Sequence, residues 1–249
     1  SWVANFNPAN DFKPGEVVTV NLTNTIISTT NDTLYNGYHC SFTIATDSST
    51  GIFSSQIIYD CNGETRSVYA TDIDGDGDAD IIATNYSING NFVSVFKNNG
   101  DGTLQTKVDY ATGDNTYSVY ATDIDGDGDA DILTANYWGN TVSVFKNNGD
   151  GTFQSKVDYA TGSDAYSVYA IDIDGDGDAD MLVANRNSIT VSVLKNNGDG
   201  TFAAKVDYAT GMRPYSVFAS DVDGDGDADM LTANDNNPGT VSVLMNNGN

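Results

Sequence analysis

The sequence predicts an all-β protein, a β-propeller of four-stranded blades with a short β segment at its N-terminus. Three observations support this fold class. An Asp- and Gly-rich nonapeptide occurs four times, its copies start 51, 49 and 49 residues apart, and no segment shows a convincing 3.6-residue apolar period. A repeat of about 50 residues that contains several short strands is typical of propeller blades. We therefore predict one blade for each repeat.

Each repeat contains four segments that favour strands. In the second repeat, residues 118–122 precede the nonapeptide, 132–135 follow it, 141–146 come next, and 153–159 follow an Asn-Asn-Gly-Asp-Gly turn. β-Branched and aromatic residues between Gly and Asn clusters favour strands in all four segments. Blades packed around an axis bury faces that one blade alone leaves exposed. The propeller is predicted to span residues 51–249, and residues 1–50 form the separate N-terminal β segment.

The chain ends suggest how the blades could close into a ring. Residues 51–60 align with the fourth-strand segments, yet they precede the first nonapeptide, and the last repeat reaches Asn249 without a fourth-strand segment. An N-terminal strand could therefore complete the last blade and close a ring of four. The alternative is a portion of a larger propeller, because four to eight blades are all allowed.

The nonapeptide Asp-x-Asp-Gly-Asp-Gly-Asp-Ala-Asp carries the metal chemistry. Carboxylates at positions 1, 3 and 5, Gly at 6 and a backbone oxygen from position 7 reproduce the first half of an EF-hand calcium loop. Five carboxylates so close together repel one another unless a cation compensates. Because no Glu follows at position 12, the ninth residue must complete the coordination. We predict one calcium ion in each repeat, four in all, bound by Asp72, Asp74, Asp76, Asp78, Asp80, Asp123, Asp125, Asp127, Asp129, Asp131, Asp172, Asp174, Asp176, Asp178, Asp180, Asp221, Asp223, Asp225, Asp227 and Asp229.

The composition excludes some classes of partner. The formal net charge is −25, and 20 of the 35 acidic residues lie in the four loops, so the chain stays acidic even with calcium bound. This charge argues against nucleic acid and anionic membrane as partners. No run of 18 apolar residues is present, which argues against membrane insertion. The chain starts at Ser1 without a signal-like segment, so we expect a mature or excised portion of a precursor.

Cysteine usage points to an oxidising compartment. Cys40 and Cys61 are the two cysteines of the chain, and neither belongs to a CxxC pair. A single disulfide between them is the favoured use. Calcium loops suited to millimolar calcium also favour an extracellular or cell-surface location. Sequons at Asn21, Asn31 and Asn85 fit that location but carry little weight.

The nonapeptide, with its flanking Ser-Val-Tyr-Ala and Val-Ser-Val-Phe strands, resembles the FG-GAP/VCBS repeats of bacterial secreted proteins and integrin α-chain propellers. The resemblance covers residues 51–249 and implies calcium in each loop, an extracellular location, and a role in adhesion or ligand binding. Many such proteins have seven blades, whereas four repeats are present here. Residues 12–23 and 37–44 read as strands and resemble the end of a bacterial immunoglobulin-like domain. That segment would dock on the propeller, swap with a neighbour in self-assembly, or be the cut end of a larger domain.

Candidate binding residues lie on the face opposite the calcium loops. Strand direction alternates within a blade, so the hairpins between second and third strands share a face with the connections between blades. The non-repeating residues there include Tyr137, Trp138, Asn140, Arg186 and Asp235. Aromatic rings could stack on sugars while polar groups bind hydroxyls. The alternative is that the aromatics pack between blades, which the in-register recurrence of Tyr117, Tyr166 and Tyr215 favours.

These observations favour a non-enzymatic extracellular protein, an adhesive or structural module within a cell-surface assembly. Its partners would be other protein subunits or cell-surface glycans. The alternative is a glycan-binding module of a secreted protein. A third hypothesis is a lyase or hydrolase, but His39 is the one histidine and no Gly-x-Ser-x-Gly is present.

Overall fold

The computed structural model describes residues 17–22, 38–43, 55–87 and 90–248, the first two ranges as strands without their side chains. The chain forms two compact units, Ser1–Ile58 and Tyr59–Asn249. In the first unit, β1 (Val17–Leu22) pairs antiparallel with β2 (Tyr38–Thr43). The strands predicted within residues 12–23 and 37–44 are thus confirmed, and they pair with each other.

The second unit contains four antiparallel sheets in sequence order, numbered here as blades 1 to 4. Blade 1 consists of β3 (Glu64–Thr71), β4 (Asp80–Ser87), β5 (Gly90–Phe96) and β6 (Val108–Ala111). Blade 2 consists of β7 (Thr116–Thr122), β8 (Asp131–Asn136), β9 (Thr141–Phe145) and β10 (Val157–Ala160). Blade 3 consists of β11 (Ala165–Ile171), β12 (Asp180–Asn185), β13 (Thr190–Leu194) and β14 (Val206–Ala209). Blade 4 consists of β15 (Pro214–Ser220), β16 (Asp229–Asn234) and β17 (Thr240–Leu244).

The described residues contain strands and no helix, which confirms the all-β prediction. Within this part of the chain, nothing is helical, long and apolar enough to cross a membrane.

Burial follows the position of each strand in its blade. Every residue of β8 is buried, because a second strand has another blade on each of its faces. The fourth strand β10 is mostly exposed at the outer edge. Its start differs from the prediction: Phe153 forms an isolated bridge with Asn147, and the strand begins only at Val157. The turn causes this delay, since the backbone N–H of Gln154 donates to Lys146 O at 2.8 Å.

The core lies between successive blades and is divided into three similar clusters. Val93 and Val95 of blade 1 pack with Val119 and Ala121 of blade 2. The cluster between blades 2 and 3 uses the corresponding residues Val142, Val144, Val168 and Ala170. The cluster between blades 3 and 4 uses Val191, Val193, Val217 and Ala219. Each blade therefore presents two different apolar faces, one to the blade before it and one to the blade after it.

The two end blades leave one face open each. Val68 at the start of the array and Val241 at its end are exposed, although their counterparts in the inner blades are buried. Blade 4 has three strands, and residues 55–60 are not part of any strand. The described residues thus form blade-like sheets as predicted, whereas closure of four blades by an N-terminal strand stays a prediction.

Burial between blades predicts a large difference between two valines of blade 2. Val142 is 0% exposed and Val157 is 53% exposed. We expect Val142→Ala to lower the free energy of unfolding by about 2 kcal/mol, because two buried methyl groups are lost and a cavity remains. Val157→Ala is the control and should change it by less than about 0.5 kcal/mol. Chemical denaturation measures both; equal effects would contradict the assignment of the core.

Candidate functional site

The nonapeptide loops connect the first and second strands of each blade and fold around their first residue. In blade 2, Asp123 Oδ1 accepts a hydrogen bond from Gly126 N at 2.8 Å, and its Oδ2 accepts one from Gly128 N at 2.9 Å. Asp127 Oδ1 accepts from Asp129 N at 2.9 Å. These bonds curl the loop so tightly that alternate carboxylates converge, as the sequence predicts.

Each loop brings together carboxylates that could hold a metal ion. One oxygen from each member lies within 4.8 Å of the others in four clusters, which are Asp72, Asp74 and Asp80; Asp123, Asp125 and Asp127; Asp172, Asp174 and Asp180; and Asp221, Asp223 and Asp225. Asp74 Oδ1 and Asp125 Oδ1 are buried without a hydrogen-bond donor in the described residues. A buried carboxylate oxygen needs a donor or a cation. This donor set of hard oxygens fits calcium.

The ninth residue of the loop has a second role that the sequence did not reveal. Asp131 is fully buried; its Oδ2 accepts from Ile124 N at 3.1 Å and its Oδ1 from Asn147 N at 2.7 Å. The first bond holds the loop and the second holds the Asn-Asn-Gly turn. Asp80, Asp180 and Asp229 make the equivalent pairs of bonds. The ninth Asp therefore fixes the loop to the turn, and in blades 1 and 3 it also belongs to the carboxylate cluster.

The carboxylate of the seventh loop residue helps to explain why the turn after the third strand contains a glycine. Gly149 has a φ of +83°, and a Cβ placed on it would lie 3.0 Å from Asp129 Oδ2. A side chain there would be strained by the backbone, and its Cβ would press against the carboxylate. The carboxyl group of Asp129 thus lies over the turn, which leaves its backbone oxygen as the group that the prediction assigns to the metal.

Side chains from each turn tie neighbouring blades together. Asn147 Nδ2 of blade 2 donates to Ile73 O, in the loop of blade 1, at 2.8 Å. Lys146 lies 3.2 Å from Asp125 Oδ2 of its own loop and also donates to Asp199 O of blade 3. These contacts join the carboxylate loops to the packing between blades. The recurring Lys-Asn-Asn-Gly sequence was the signal from which they could have been inferred.

Burial and backbone hydrogen bonds have opposite effects on the pKa of the ninth Asp. In blade 2, burial raises the pKa of Asp131 to about 6, against the lowering effect of the hydrogen bonds from Asn147 and Ile124. Burial also raises the pKa of Asp80 and Asp180. In contrast, backbone hydrogen bonds from Val222 and Asn246 lower the pKa of Asp229. Asp229 is itself buried. Because no further blade in the described structure packs on blade 4, the region around Asp229 contains less protein than the region around Asp131, and desolvation raises its pKa less.

The opposite rim of the blades carries a ladder of aromatic rings. The ring centroids of Tyr117 and Tyr166 are 4.6 Å apart, and those of Tyr166 and Tyr215 are 4.1 Å apart. The guanidinium carbon of Arg66 lies 4.0 Å from the Tyr117 centroid, at the start of the ladder. The packing interpretation of these three tyrosines is therefore confirmed.

The candidate ligand residues of this rim fall into different settings. Arg186 Nη1 donates to the Tyr137 hydroxyl at 3.2 Å, and its Nη2 lies 3.9 Å from Asp235 Oδ2. Trp138 is 56% exposed and meets Tyr86 edge to face at 6.0 Å. Asn140 Oδ1 accepts from Asp164 N at 2.8 Å, so its side chain supports the next blade connection. The structure thus groups Tyr137 with Arg186 and Asp235, and it assigns a structural contact to Asn140.

Arg66 and Tyr86 also belong to this rim, the face on which the sequence places its non-repeating residues. The Arg66 guanidinium lies 5.4 Å from the Tyr86 centroid as well as over Tyr117. The Nε atoms of Arg66 and Arg186 are buried without an acceptor in the described residues. Burial works against the charge of Arg186, but its hydrogen bond with Tyr137 and the nearby Tyr215 and Asp235 raise its pKa above the ordinary value. Arg186 therefore stays charged beside the half-buried rings of Tyr137 and Tyr215.

The disulfide predicted between Cys40 and Cys61 falls partly outside the described residues. Cys61 is a half-buried free thiol. The side chain of Cys40 lies outside the described residues, so the pairing itself stays a prediction.

Successive blade-like sheets, each with a carboxylate loop between its first two strands, define a class of repeat proteins. The family model of the FG-GAP-like repeat matches residues 72–134, 123–183 and 172–232, and each match starts at the first Asp of a loop. Because these matches span more than half of the chain, the protein belongs to the FG-GAP-like repeat family. A search of curated proteins gave no match.

Among solved structures, the chain is similar to parts of three larger or comparable proteins. The Photorhabdus luminescens Tc holotoxin pore is 20% identical with a TM-score of 0.41, and the match covers 70% of this chain and 8% of that one. An Agrocybe aegerita lectin, described as recognising non-reducing terminal N-acetylglucosamine, is 20% identical with a TM-score of 0.42, covering 94% and 81%. The V. cholerae biofilm matrix protein Bap1 is 19% identical with a TM-score of 0.47, covering 98% and 40%. The chain thus spans a small part of the toxin and less than half of Bap1.

The raised pKa of Asp131 predicts opposite pH effects with and without calcium. Its folded pKa of about 6 exceeds the ordinary 3.8, so the ionised group disfavours folding above pH 6 and this cost disappears as the pH falls toward 4. Calcium-free protein should therefore gain free energy of unfolding between pH 7 and 5, whereas calcium-bound protein should lose it because protonation competes with metal.

Chemical denaturation in EDTA and in calcium at both pH values measures this effect. Asp131→Asn is the control, since it cannot titrate. An Asp131→Asn protein with the same pH dependence as the native sequence would show that this carboxyl is not responsible.

Proposed function

We propose that this chain is a non-enzymatic, extracellular calcium-binding module in which the metal holds the blades rigid for adhesion or assembly. One observation supports this role above the others. Each carboxylate loop is bonded through its ninth Asp to the turn of its own blade. In blades 2 to 4 that turn is also bonded, through Asn147 or its counterparts, to the loop of the preceding blade. Calcium in one loop would therefore stabilise the blade interface beside it.

The free energy available from calcium is large enough to matter. Each loop holds five carboxylates, and the chain has a formal net charge of −25. A cation removes the repulsion among these groups. With free calcium at about ten times the dissociation constant, binding contributes about 1.4 kcal/mol per site. Four sites would be comparable with the net stability of a typical domain, about 5–15 kcal/mol.

The proposed calcium sites can be tested by removing charge inside and outside a loop. We expect Asp123→Asn to lower the number of bound calcium ions from four to three by isothermal titration calorimetry, and to reduce the rise in Tm that calcium produces. Asp101→Asn is the matched control: it removes one charge from a turn, and its amide oxygen can still accept from Thr103 N as Asp101 does. Equal losses in both variants would indicate nonspecific charge effects rather than a built site.

The rim with the aromatic ladder is the proposed contact surface. It is less regular than the loop side, because Arg66 replaces a tyrosine of the ladder and Trp138 is found in one hairpin only. Protein–protein interfaces are enriched in Tyr, Trp and Arg. We infer that other protein subunits of a cell-surface assembly, or cell-surface glycans, contact this rim.

A glycan-binding module is the second candidate function, and the setting of Trp138 favours it. This indole is largely exposed, meets Tyr86 edge to face, and lies on the same rim as Arg66 and Arg186. Exposed aromatic faces stack on sugar rings, and buried polar groups nearby fix the orientation of a ligand. Arginines on the same rim would favour glycans that carry carboxylates.

Binding to a glycan array tests this second function. We expect Trp138→Ala to abolish binding, because the stacking surface is lost, and Trp138→Tyr to retain a weaker signal, because an aromatic ring remains. Val157→Ala, on the outer edge of the same blade, should leave the signal unchanged. If the native protein binds no glycan on the array, the glycan function is excluded and the protein-assembly function stands.

A further inference from the structure

The two open faces at the ends of the array carry the residues that correspond to the two sides of each inner interface. Between blades 3 and 4, Val191 and Val193 of β13 pack against Val217 and Ala219 of β15. The corresponding residues on the open face of blade 4 are Val241 and Val243. On the open face of blade 1 they are Val68 and Ala70.

Exposure shows that neither open face is covered. Val68 is 65% exposed and Val241 is 69% exposed, whereas all inner counterparts are buried. In blade 4, Phe218 and Met245 are exposed beside them. A contiguous apolar face of this kind marks an interaction surface. In each inner interface, the third strand of one blade packs on the first strand of the next blade. The open face of blade 4 therefore fits a surface like the open face of blade 1.

The polar contacts of the inner interfaces leave a donor at one end of the array and an acceptor at the other. Asn147 donates to Ile73 O at 2.8 Å, Asn196 to Ile124 O at 2.7 Å, and Asn246 to Ile173 O at 2.7 Å. The remaining donor in this series is the Asn98 amide of blade 1, which donates to Ala79 O of its own blade. The remaining acceptor is the carbonyl of Val222 in blade 4, and Val222 is 49% exposed.

The two ends of each aromatic ladder also have shapes that fit one another. One ladder runs through Tyr69, Tyr120, Tyr169 and Phe218 with centroid spacings of 5.1, 5.0 and 4.8 Å, which shows that the three interfaces repeat one geometry. The other runs from Arg66 to Tyr215, and beside Tyr215 lies an open cavity of about 360 Å³ lined also by Asp235, Thr240 and Val241. An arginine corresponding to Arg66 would fill the place beside Tyr215.

Tyr59 indicates what should lie beside β17. In the inner blades, Tyr110 of the fourth strand β6 meets Phe145 and Phe153 of the next blade at 6.3 and 5.3 Å. Tyr59 takes the same position before blade 1: its ring lies 6.0 Å from Phe96, and its hydroxyl accepts from Leu104 N at 3.1 Å. Tyr59 therefore corresponds to the tyrosine of a fourth strand in the blade that would precede blade 1. Blade 4 is the blade with three strands.

We propose that blade 4 of one molecule packs on blade 1 of a second copy of this chain, head to tail. Residues 57–60 of the second copy would then add to β17 as the fourth strand, with Tyr59 opposite Val241, as Tyr208 lies opposite Val191. In the described structure the end faces of blades 1 and 4 are exposed and do not pack on each other. Two copies supply eight blades, within the known range.

A head-to-tail interface makes a specific prediction about mixing. Such an interface is heterologous, because each copy contributes a different surface to it. Val68→Asp places a charge on the open face of blade 1 and leaves blade 4 unchanged. Val241→Asp places a charge on the open face of blade 4 and leaves blade 1 unchanged. Both residues are exposed in a single copy, so neither change should reduce the free energy of unfolding of the isolated chain.

Sedimentation equilibrium in saturating calcium, over a range of protein concentrations, tests the proposal. We expect the native chain to form a dimer or longer assembly, each single variant to associate at least a hundredfold more weakly, and an equimolar mixture of the two variants to form a heterodimer. Val157→Asp, at the outer edge of blade 2, is the control and should associate like the native chain.

Two results would overturn the proposal. The first is a native chain that stays monomeric at every concentration. If Val68→Asp destabilises that monomer, the two end faces meet within one chain, as in the four-bladed ring. The second is association of the native chain that both variants retain, which would place the interface elsewhere.

Discussion

The buried carboxylate at the ninth position of each loop is the interaction on which the architecture depends. In blade 2, the two oxygens of Asp131 accept backbone hydrogen bonds from the metal loop and from the turn after the third strand. A buried carboxylate is costly unless it is hydrogen-bonded or paired with a cation. The same group therefore stabilises the loop that it orders and creates a need for positive charge nearby.

This constraint gives the two sides of the blades different roles. On the loop side, repetition is strict because every blade needs the same carboxylate, turn and Asn contact to its neighbour. The opposite rim has no such requirement, so Arg66 and Trp138 can differ from their counterparts in other repeats. We expect selection for binding to act there, and a metal-stiffened array to hold those side chains in place with little loss of entropy on binding.

Much of the fold could be predicted, because one repeat determines its neighbours. The strand predicted at residues 118–122 lies within β7, and the alternate carboxylates converge as their spacing requires. The start of the fourth strand was wrong because Asn147 and its turn compete for the residues around Phe153. Asn140 accepts a hydrogen bond from the next blade, which the sequence did not predict, and its role toward a ligand stays a prediction.

Contacts between blades were harder to predict than contacts within them. A sequence pattern shows which residues alternate, but not which carbonyl of the preceding blade an amide such as Asn147 reaches. Ring closure has the same difficulty, because it depends on the angle between blades, which is set by small differences in side-chain packing. The exposed faces of blades 1 and 4 become visible only in three dimensions.

The central claim is that calcium in the loops stabilises the packing between blades. Amide hydrogen exchange with and without calcium tests it most directly, because exchange reports local opening along the whole chain. The account predicts that calcium slows exchange in β8 and β9, which lie in the blade interfaces, as well as in the loop of residues 123–131. Slower exchange confined to the loops, with the strands unchanged, would contradict it.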